Sequence, residues 1–380
     1  MSQLKLHEFH ASQGGRFVDV NGSEAVNDYG DWLAEHAALR QTAGVLDLGF
    51  RSRLCLVGAD RARFLHGQVT NEVIKLRAGQ GCYAAITNAK GKMEGDANIF
   101  CLPDELLLDL EPGLVGKISA RLEKFIVADD VQIVDVAAHY GLLSVQGPLA
   151  GTVIGALGLA VKLPAQPLES IKVSDAALGE VYLANHARVA ALGGRRTGEI
   201  PTVSPWESVP GFDLFVPNDS LGAVAHKLIA AAQAVRGRAC GWQALETARI
   251  EAGIPRYGAD MDESNIPLEC GLEARAITYA KGCYLGQEVI NRIHSVGHVN
   301  RELCGLRLMG NPETLPKRGD KLFRAGQEMG YLTSAVASPL LGATIGLGYV
   351  RREAKAIGAE LVLKTGNVER AVRVVAMPFA

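Results

Sequence analysis

Between residues 53 and 135 the apolar pattern switches back and forth between strand and helix periods. Residues 53–57 predict a strand, and Gly58-Ala59-Asp60 a turn that caps a helix over 61–69. The run Leu106-Leu107-Leu108-Asp109-Leu110 predicts another strand, 113–125 an amphipathic helix and 131–136 a further strand. An order of strand, helix, two strands, helix and strand points to a ferredoxin-like unit. Residues 141–148 read as a strand ending in the sharp Gly147-Pro148 turn, followed by a short helix. An alanine-rich helix is expected over 219–234, ended near Gly237. Another is expected over 241–251, closed by Gly253 and Pro255. Past Asn300, short β-rich pieces (303–308, 328–335, 344–349, 360–363 and 370–375) are separated by Gly, Pro and Lys, which points to a small barrel or sandwich.

Composition narrows the class. With 380 residues there is length for two or three domains, and 48% hydrophobic content with a formal charge of −2 excludes a disordered chain. The balance of 39 basic and 41 acidic residues lacks the basic excess of a phosphate-backbone binder, so no direct nucleic-acid partner is expected. Two charge-free stretches, 140–161 and 329–350, are long enough to span a bilayer, but Pro148, Pro339 and several glycines break them. Buried strands and helices are expected there, with no membrane partner, and the N-terminus lacks the features of a secretory or transit signal. Seven cysteines without a Cys-x-x-Cys pair support no zinc or iron–sulfur cage, so no metal ligands are assigned; free thiols suit a reducing cytoplasm.

The most unusual segment is Ala280-Lys281-Gly282-Cys283-Tyr284-Leu285-Gly286-Gln287-Glu288-Val289-Ile290-Asn291-Arg292. A lysine two residues before Cys283 and a helix start just after it would both stabilise a thiolate. Lys281, Gln287, Glu288 and Arg292 together could hold a polar ligand. The alternative for Cys283 is a small buried apolar residue.

The octapeptide from Lys281 to Glu288 resembles the signature of the folate-binding YgfZ family. The rest of the chain is similar to the broader superfamily of the glycine cleavage T-protein, an aminomethyltransferase. The carrying segments are Arg249-Ile250-Glu251-Ala252-Gly253, then Tyr257-Gly258 with Asp260-Met261-Asp262-Glu263, and Pro267-Leu268-Glu269 with Gly271-Leu272. Thr333-Ser334, Ser338-Pro339 and Ile345-Gly346-Leu347-Gly348-Tyr349-Val350 resemble its C-terminal barrel. The resemblance implies an α+β fold in which two interleaved α/β units, one ferredoxin-like, surround a folate cleft and a β-barrel follows. It implies a discontinuous folate-binding domain over 1–50 and 140–295, an inserted ferredoxin-like domain over 51–139 and a barrel domain over 296–380.

Site residues carry over on matching positions. In the T-protein pattern a tyrosine precedes an Asn-x-x-Gly-Gly-x-x-Asp-Asp segment, and Tyr83 with Asn88 to Asp96 matches its spacing, although Lys92 replaces the second glycine and Gly95 the first aspartate. Asp96 then falls near the reacting folate nitrogen, with a turn aspartate at a strand start as the plain alternative. The family's Arg-Thr-Gly-Tyr-Thr-Gly-Glu-x-Gly-Phe-Glu motif survives only as Arg196-Thr197-Gly198 and Gly211-Phe212-Asp213. Asp213 occupies the position of the glutamate that grips the pterin, and Glu199 or Glu207 is a candidate replacement for the missing centre. Arg249 sits where the superfamily places an arginine near the folate tail; a surface arginine paired with Glu246 or Glu251 is the alternative.

The YgfZ resemblance implies a tetrahydrofolate-binding factor that supports iron–sulfur cluster assembly or repair in client enzymes, tRNA-modifying ones included. Cys283, Lys281 and Asp96 would then supply the chemistry. Two alternatives stand beside it: an aminomethyltransferase that moves a one-carbon unit from a lipoyl-bound aminomethyl group to tetrahydrofolate, and a folate-binding docking protein without chemistry of its own.

Overall fold

The computed structural model describes residues 2–189 and 209–379. Arg196, Thr197, Gly198, Glu199, Trp206 and Glu207 lie outside the described residues.

Strands Gly81–Thr87, Met93–Cys101, Leu106–Leu110, Ser52–Val57 and Gln132–Asp135 form a five-stranded sheet in that order. All its neighbours are antiparallel. The last four strands have the expected ferredoxin-like arrangement, and Gly81–Thr87 adds an edge strand ahead of it. Side chains on a strand alternate between faces, so one face collects Leu54, Leu56, Ala84, Ile86, Ala97, Ile99, Leu106 and Leu108. Phe64 and Leu65 of helix Arg61–Gln68, with Ile118 and Leu122 of helix Val115–Glu123, pack on that face. The same alternation puts Tyr83, Asp96, Asn98 and Asp109 on the opposite face.

A six-stranded sheet runs in the order Ser170–Asp175, Gly179–Asn185, Gly211–Pro217, Tyr140–Gln146, Gly44–Asp47, Arg238–Ala239. The chain leaves this sheet at Asp47, builds the five-stranded sheet, and returns at Tyr140 beside the strand it left. Helix Asn218–Ala234 covers one face through Leu221, Val224, Ala225 and Leu228. Ala38, Leu39, Ala244, Leu245 and Ala248, from helices Trp32–Gln41 and Trp242–Glu251, belong to a second core that includes Phe100 and Leu107 from the five-stranded sheet. That shared core joins the two sheets.

Strands Arg301–Leu308, Ala343–Arg351, Gln327–Ser338, Lys321–Arg324, Glu360–Thr365 and Val368–Val375 close into a barrel, the last pairing with the first. Gly330 is fixed by geometry: its φ is +157°, and a Cβ there would stand 1.8 Å from the Tyr349 carbonyl oxygen. The charge-free stretches resolve into strand Tyr140–Gln146 with helix Ala150–Gly155, and into two barrel strands. Among the described residues no helix is long and apolar enough to cross a membrane.

Candidate functional site

A cleft opens between the polar face of the five-stranded sheet and helix Trp242–Glu251. Trp242, Leu245, Glu246 and Arg249 line it from the helix; their spacing of three and four residues puts them on one helical face. Tyr83, Asp96, Asn98 and Asp109 line it from the sheet, and His186, Arg188, Arg256 and Arg275 from loops and a short helix. Two cation–aromatic stacks stiffen the walls: the Arg256 guanidinium lies 4.9 Å from the Trp242 ring centre, and that of Arg275 5.0 Å from the Tyr83 ring centre.

Carboxylates and guanidinium groups alternate along the cleft. Arg188 Nη2 stands 2.6 Å from Asp213 Oδ2 and 2.9 Å from Asp109 Oδ2. Arg51 bridges Asp109 at 2.7 Å and Glu111 at 2.6 Å. Arg256 joins Glu111 at 3.5 Å to Glu246 at 3.3 Å, and Arg249 joins Glu246 to Asp260. Asp260 accepts from Thr333 at 2.5 Å and Ser334 at 2.6 Å, both on a barrel strand, so the barrel is tied to the cleft wall. Burial by itself would raise the Asp213 pKa, but Arg188 and His186 outweigh it and hold the group at about 2. Glu246 is likewise held at about 2, with Arg249 and Arg256 overcoming its burial. Asp109, His186 and Asp213 bring candidate metal-ligand atoms within 4.8 Å of one another. Arg188 already engages both of those carboxylates and Arg51 one, so guanidinium groups supply the positive charge there.

Asp96 is different. Its Oδ2 accepts a 2.6 Å hydrogen bond from Tyr83 Oη, and its Oδ1 is buried without a partner among the described residues. Burial, then the nearby charge of Glu111, pushes its pKa up to about 6, against the pull of Tyr83 and Arg51. It is therefore a cleft-lining carboxyl able to exchange a proton near neutrality, with one buried oxygen that has no partner among the described residues.

Of the residues singled out from the sequence, Tyr83, Asp96 and Arg249 meet in this cleft. Arg249 is buried and paired with Glu246 and Asp260, not exposed on the helix surface. Asp213 needs correcting: it is fully buried, with its oxygens taken by His186 Nδ1 at 2.8 Å and by Arg188, so it offers no free edge to a pterin. It acts on the cleft through Arg188.

The octapeptide lies outside the cleft lining. Cys283 is exposed, and on helix Gln287–Val296 Gln287 is half-buried while Glu288 and Arg292 are exposed. Lys281 does not present its ammonium to the surface. Its Nζ is buried and donates to the carbonyls of His66 at 2.6 Å, Val69 at 2.6 Å and Asn71 at 2.8 Å. Burial lowers its pKa to about 8. Gly286, at φ +90°, abuts the Asn88 carbonyl, where a Cβ would come within 2.5 Å. Thr87 Oγ1 also donates to the Leu285 carbonyl at 2.7 Å. In this structure, Lys281 and Gly286 anchor the motif to the 66–71 and 87–91 segments.

Sequence reading passed over His186, Arg188, Arg256 and Arg275, which sit in segments without periodicity. A signal did exist for Asp109, one charge inside the otherwise apolar run 106–110.

The chain matches two family models, the GCVT N-terminal domain over residues 6–281 and the glycine cleavage T-protein C-terminal barrel domain over residues 301–380. It is 29% identical to an aminomethyltransferase of Thermosynechococcus vestitus, covering all of this chain and 95% of that protein. Against an aminomethyltransferase of Halalkalibacterium halodurans it is 28% identical, covering 100% and 99%. Among solved structures, the glycine cleavage system aminomethyltransferase T from Bartonella henselae superposes with a TM-score of 0.85 at 22% identity, covering 100% of this chain and 98% of that one, and shows the same fold. The full-length relatives are named aminomethyltransferases. That overturns the expectation of a support factor for iron–sulfur proteins drawn from the octapeptide, and with it the expected iron–sulfur clients.

Proposed function

The chain belongs to the glycine cleavage T-protein family, and we propose that it transfers a one-carbon unit from an aminomethyl donor to tetrahydrofolate. One observation carries this reading: Asp96 is a buried cleft carboxyl of raised basicity whose Oδ1 has no hydrogen-bond partner among the described residues. The cleft also suits the other parts of a folate. Trp242, Tyr83, Leu245 and Pro255 offer a slot for flat rings, and Arg275, which has no carboxylate partner among the described residues, offers a cation for the glutamate tail.

When bound, tetrahydrofolate supplies the nucleophilic nitrogens that take up the carbon. Two N–C bonds form to the methylene carbon, while its bonds to the donor's sulfur and amine nitrogen break. The two folate N–H protons leave with the departing thiol and ammonia. Asp96, as the carboxylate, takes a proton from the attacking nitrogen at Oδ1 and passes it to the departing amine. Tyr83 fixes the carboxyl by holding Oδ2. In this reading the discontinuous unit over 1–50 and 140–295 supplies the helix wall, the inserted unit over 51–139 supplies Tyr83 and Asp96, and the barrel over 296–380 braces Asp260.

Titrating the protein with tetrahydrofolate while following tryptophan fluorescence tests the binding half directly. Saturable quenching that disappears in Trp242→Phe is expected. Absence of any folate effect on the wild-type protein overturns the reading.

A further inference from the structure

We propose that Glu111 is a positioning residue for the proton of Asp96: the two carboxyls face each other across neighbouring antiparallel strands, and the arginines go to Glu111 alone. The register shows the opposition. Asn98 pairs with Asp109 and Ala97 with Leu110, so the next step of the ladder sets Asp96 opposite Glu111, just past the strand end. Asp96 and Glu111 lie on the cleft face with Asn98 and Asp109, since alternate residues share a face, and both line the cleft. Directly opposed side chains have Cβ atoms about 5 Å apart, and like charges at that separation destabilise each other.

The two environments divide the pair. Glu111 is paired with Arg51 at 2.6 Å and Arg256 at 3.5 Å. Among the described residues Asp96 has only the Tyr83 hydroxyl as a hydrogen-bond partner. Arg51 is the near cation, and its guanidinium is already spent between Asp109 and Glu111. Arg275 lies over the ring of Tyr83 and makes no ion pair with Asp96. The other ionisable neighbours are Asp109, a further negative charge, with Tyr257 and Cys270, whose ordinary forms are neutral. Glu111 is therefore the member of the pair held by cations, and Asp96, which is paired with none among the described residues, is the member that binds and releases the proton. In ligand terms, the pair favours a nitrogen group that can give up a proton or carry positive charge beside Asp96 Oδ1.

The catalytic meaning of the pair rests on the transferase reading above, but its titration does not. Carboxyl carbon NMR of the full chain with ¹³C-labelled aspartate, assigned by loss of the signal in Asp96→Asn, reads the Asp96 midpoint without any turnover. Glu111→Gln should reduce the proton affinity of Asp96 about tenfold or more, and Glu111→Asp should keep most of the wild-type value. Arg256→Gln should move it in the opposite direction, because Glu111 loses part of its compensation. This second variant settles the matter if Glu111→Gln does not fold. An Asp96 midpoint unmoved by whichever of the two variants folds overturns the proposal. If the midpoints move as stated while no variant and no wild-type sample transfers carbon, the pair stands and the transferase reading fails.

Discussion

Tyr83 Oη donates a 2.6 Å hydrogen bond to Asp96 Oδ2, so a single phenol fixes the one cleft carboxyl that has an oxygen without a partner among the described residues. Replacing Asp96 by Asn keeps the shape and removes the base. Turnover should fall by about 10²–10⁴-fold, with tetrahydrofolate affinity changed little. A variant whose turnover stays within threefold of wild type would remove Asp96 from the chemistry.

The same bond sets a pH dependence. Asp96 acts as its carboxylate and titrates at about pH 6, so turnover should decline as the pH falls through that value. Tyr83→Phe deletes the bond that stabilises the charged form. The acid limb of the pH–rate profile should then move to higher pH; a limb that moves the other way contradicts the assignment.

Below the cleft, Asp213 has lower proton affinity in the folded protein, titrating at about 2, than in an unfolded chain, where aspartate titrates at about 4. Its stabilisation is complete above about pH 4 and is lost as the pH falls toward 2. Asp213→Asn takes from Arg188 one of its two carboxylate partners, leaving Asp109, and from His186 its charged acceptor, and should cost about 3–5 kcal/mol in urea unfolding at neutral pH. The variant should also lose much of the acid-induced drop in stability between pH 4 and 2. An unchanged drop would show that the Arg188–Asp213–His186 cluster is not what acid dissolves.

Cys283 is exposed and does not line the cleft. Cys283→Ala should leave turnover and folate affinity within about twofold of wild type. Lys281→Met should instead destabilise the fold by about 1–3 kcal/mol, since three carbonyls, two of them in buried hydrogen bonds, lose their donor. A large loss of turnover in a fully folded Cys283→Ala protein would place essential chemistry outside the cleft.

Much of the fold was legible because local pattern determined it. The predicted segments 53–57, 106–110 and 219–234 correspond to Ser52–Val57, Leu106–Leu110 and Asn218–Ala234, and the β-rich pieces after Asn300 close into the barrel. The Gly81–Thr87 and Met93–Cys101 hairpin is harder to read, because its cleft face carries Tyr83, Asp96 and Asn98 where a two-sided core strand would be apolar. Tyr83, Asp96 and Arg249 were reachable because their spacing follows a family pattern. Arg188, Arg256 and Arg275 were not, because what makes them part of the site is the meeting of loops far apart in the chain. The octapeptide misled for a related reason. A lysine near a cysteine suggests an activated thiol, but the fold turns Lys281 inward onto three carbonyls.

The most direct measurement is single-turnover transfer from a lipoyl-bound aminomethyl carrier protein to tetrahydrofolate, with ammonia and methylene-bridged folate both counted. The proposed transfer gives equal amounts of the two products, requires tetrahydrofolate, and is almost completely lost in Asp96→Asn. Product no greater than in the enzyme-free mixture, from a folded protein that binds tetrahydrofolate, would contradict it.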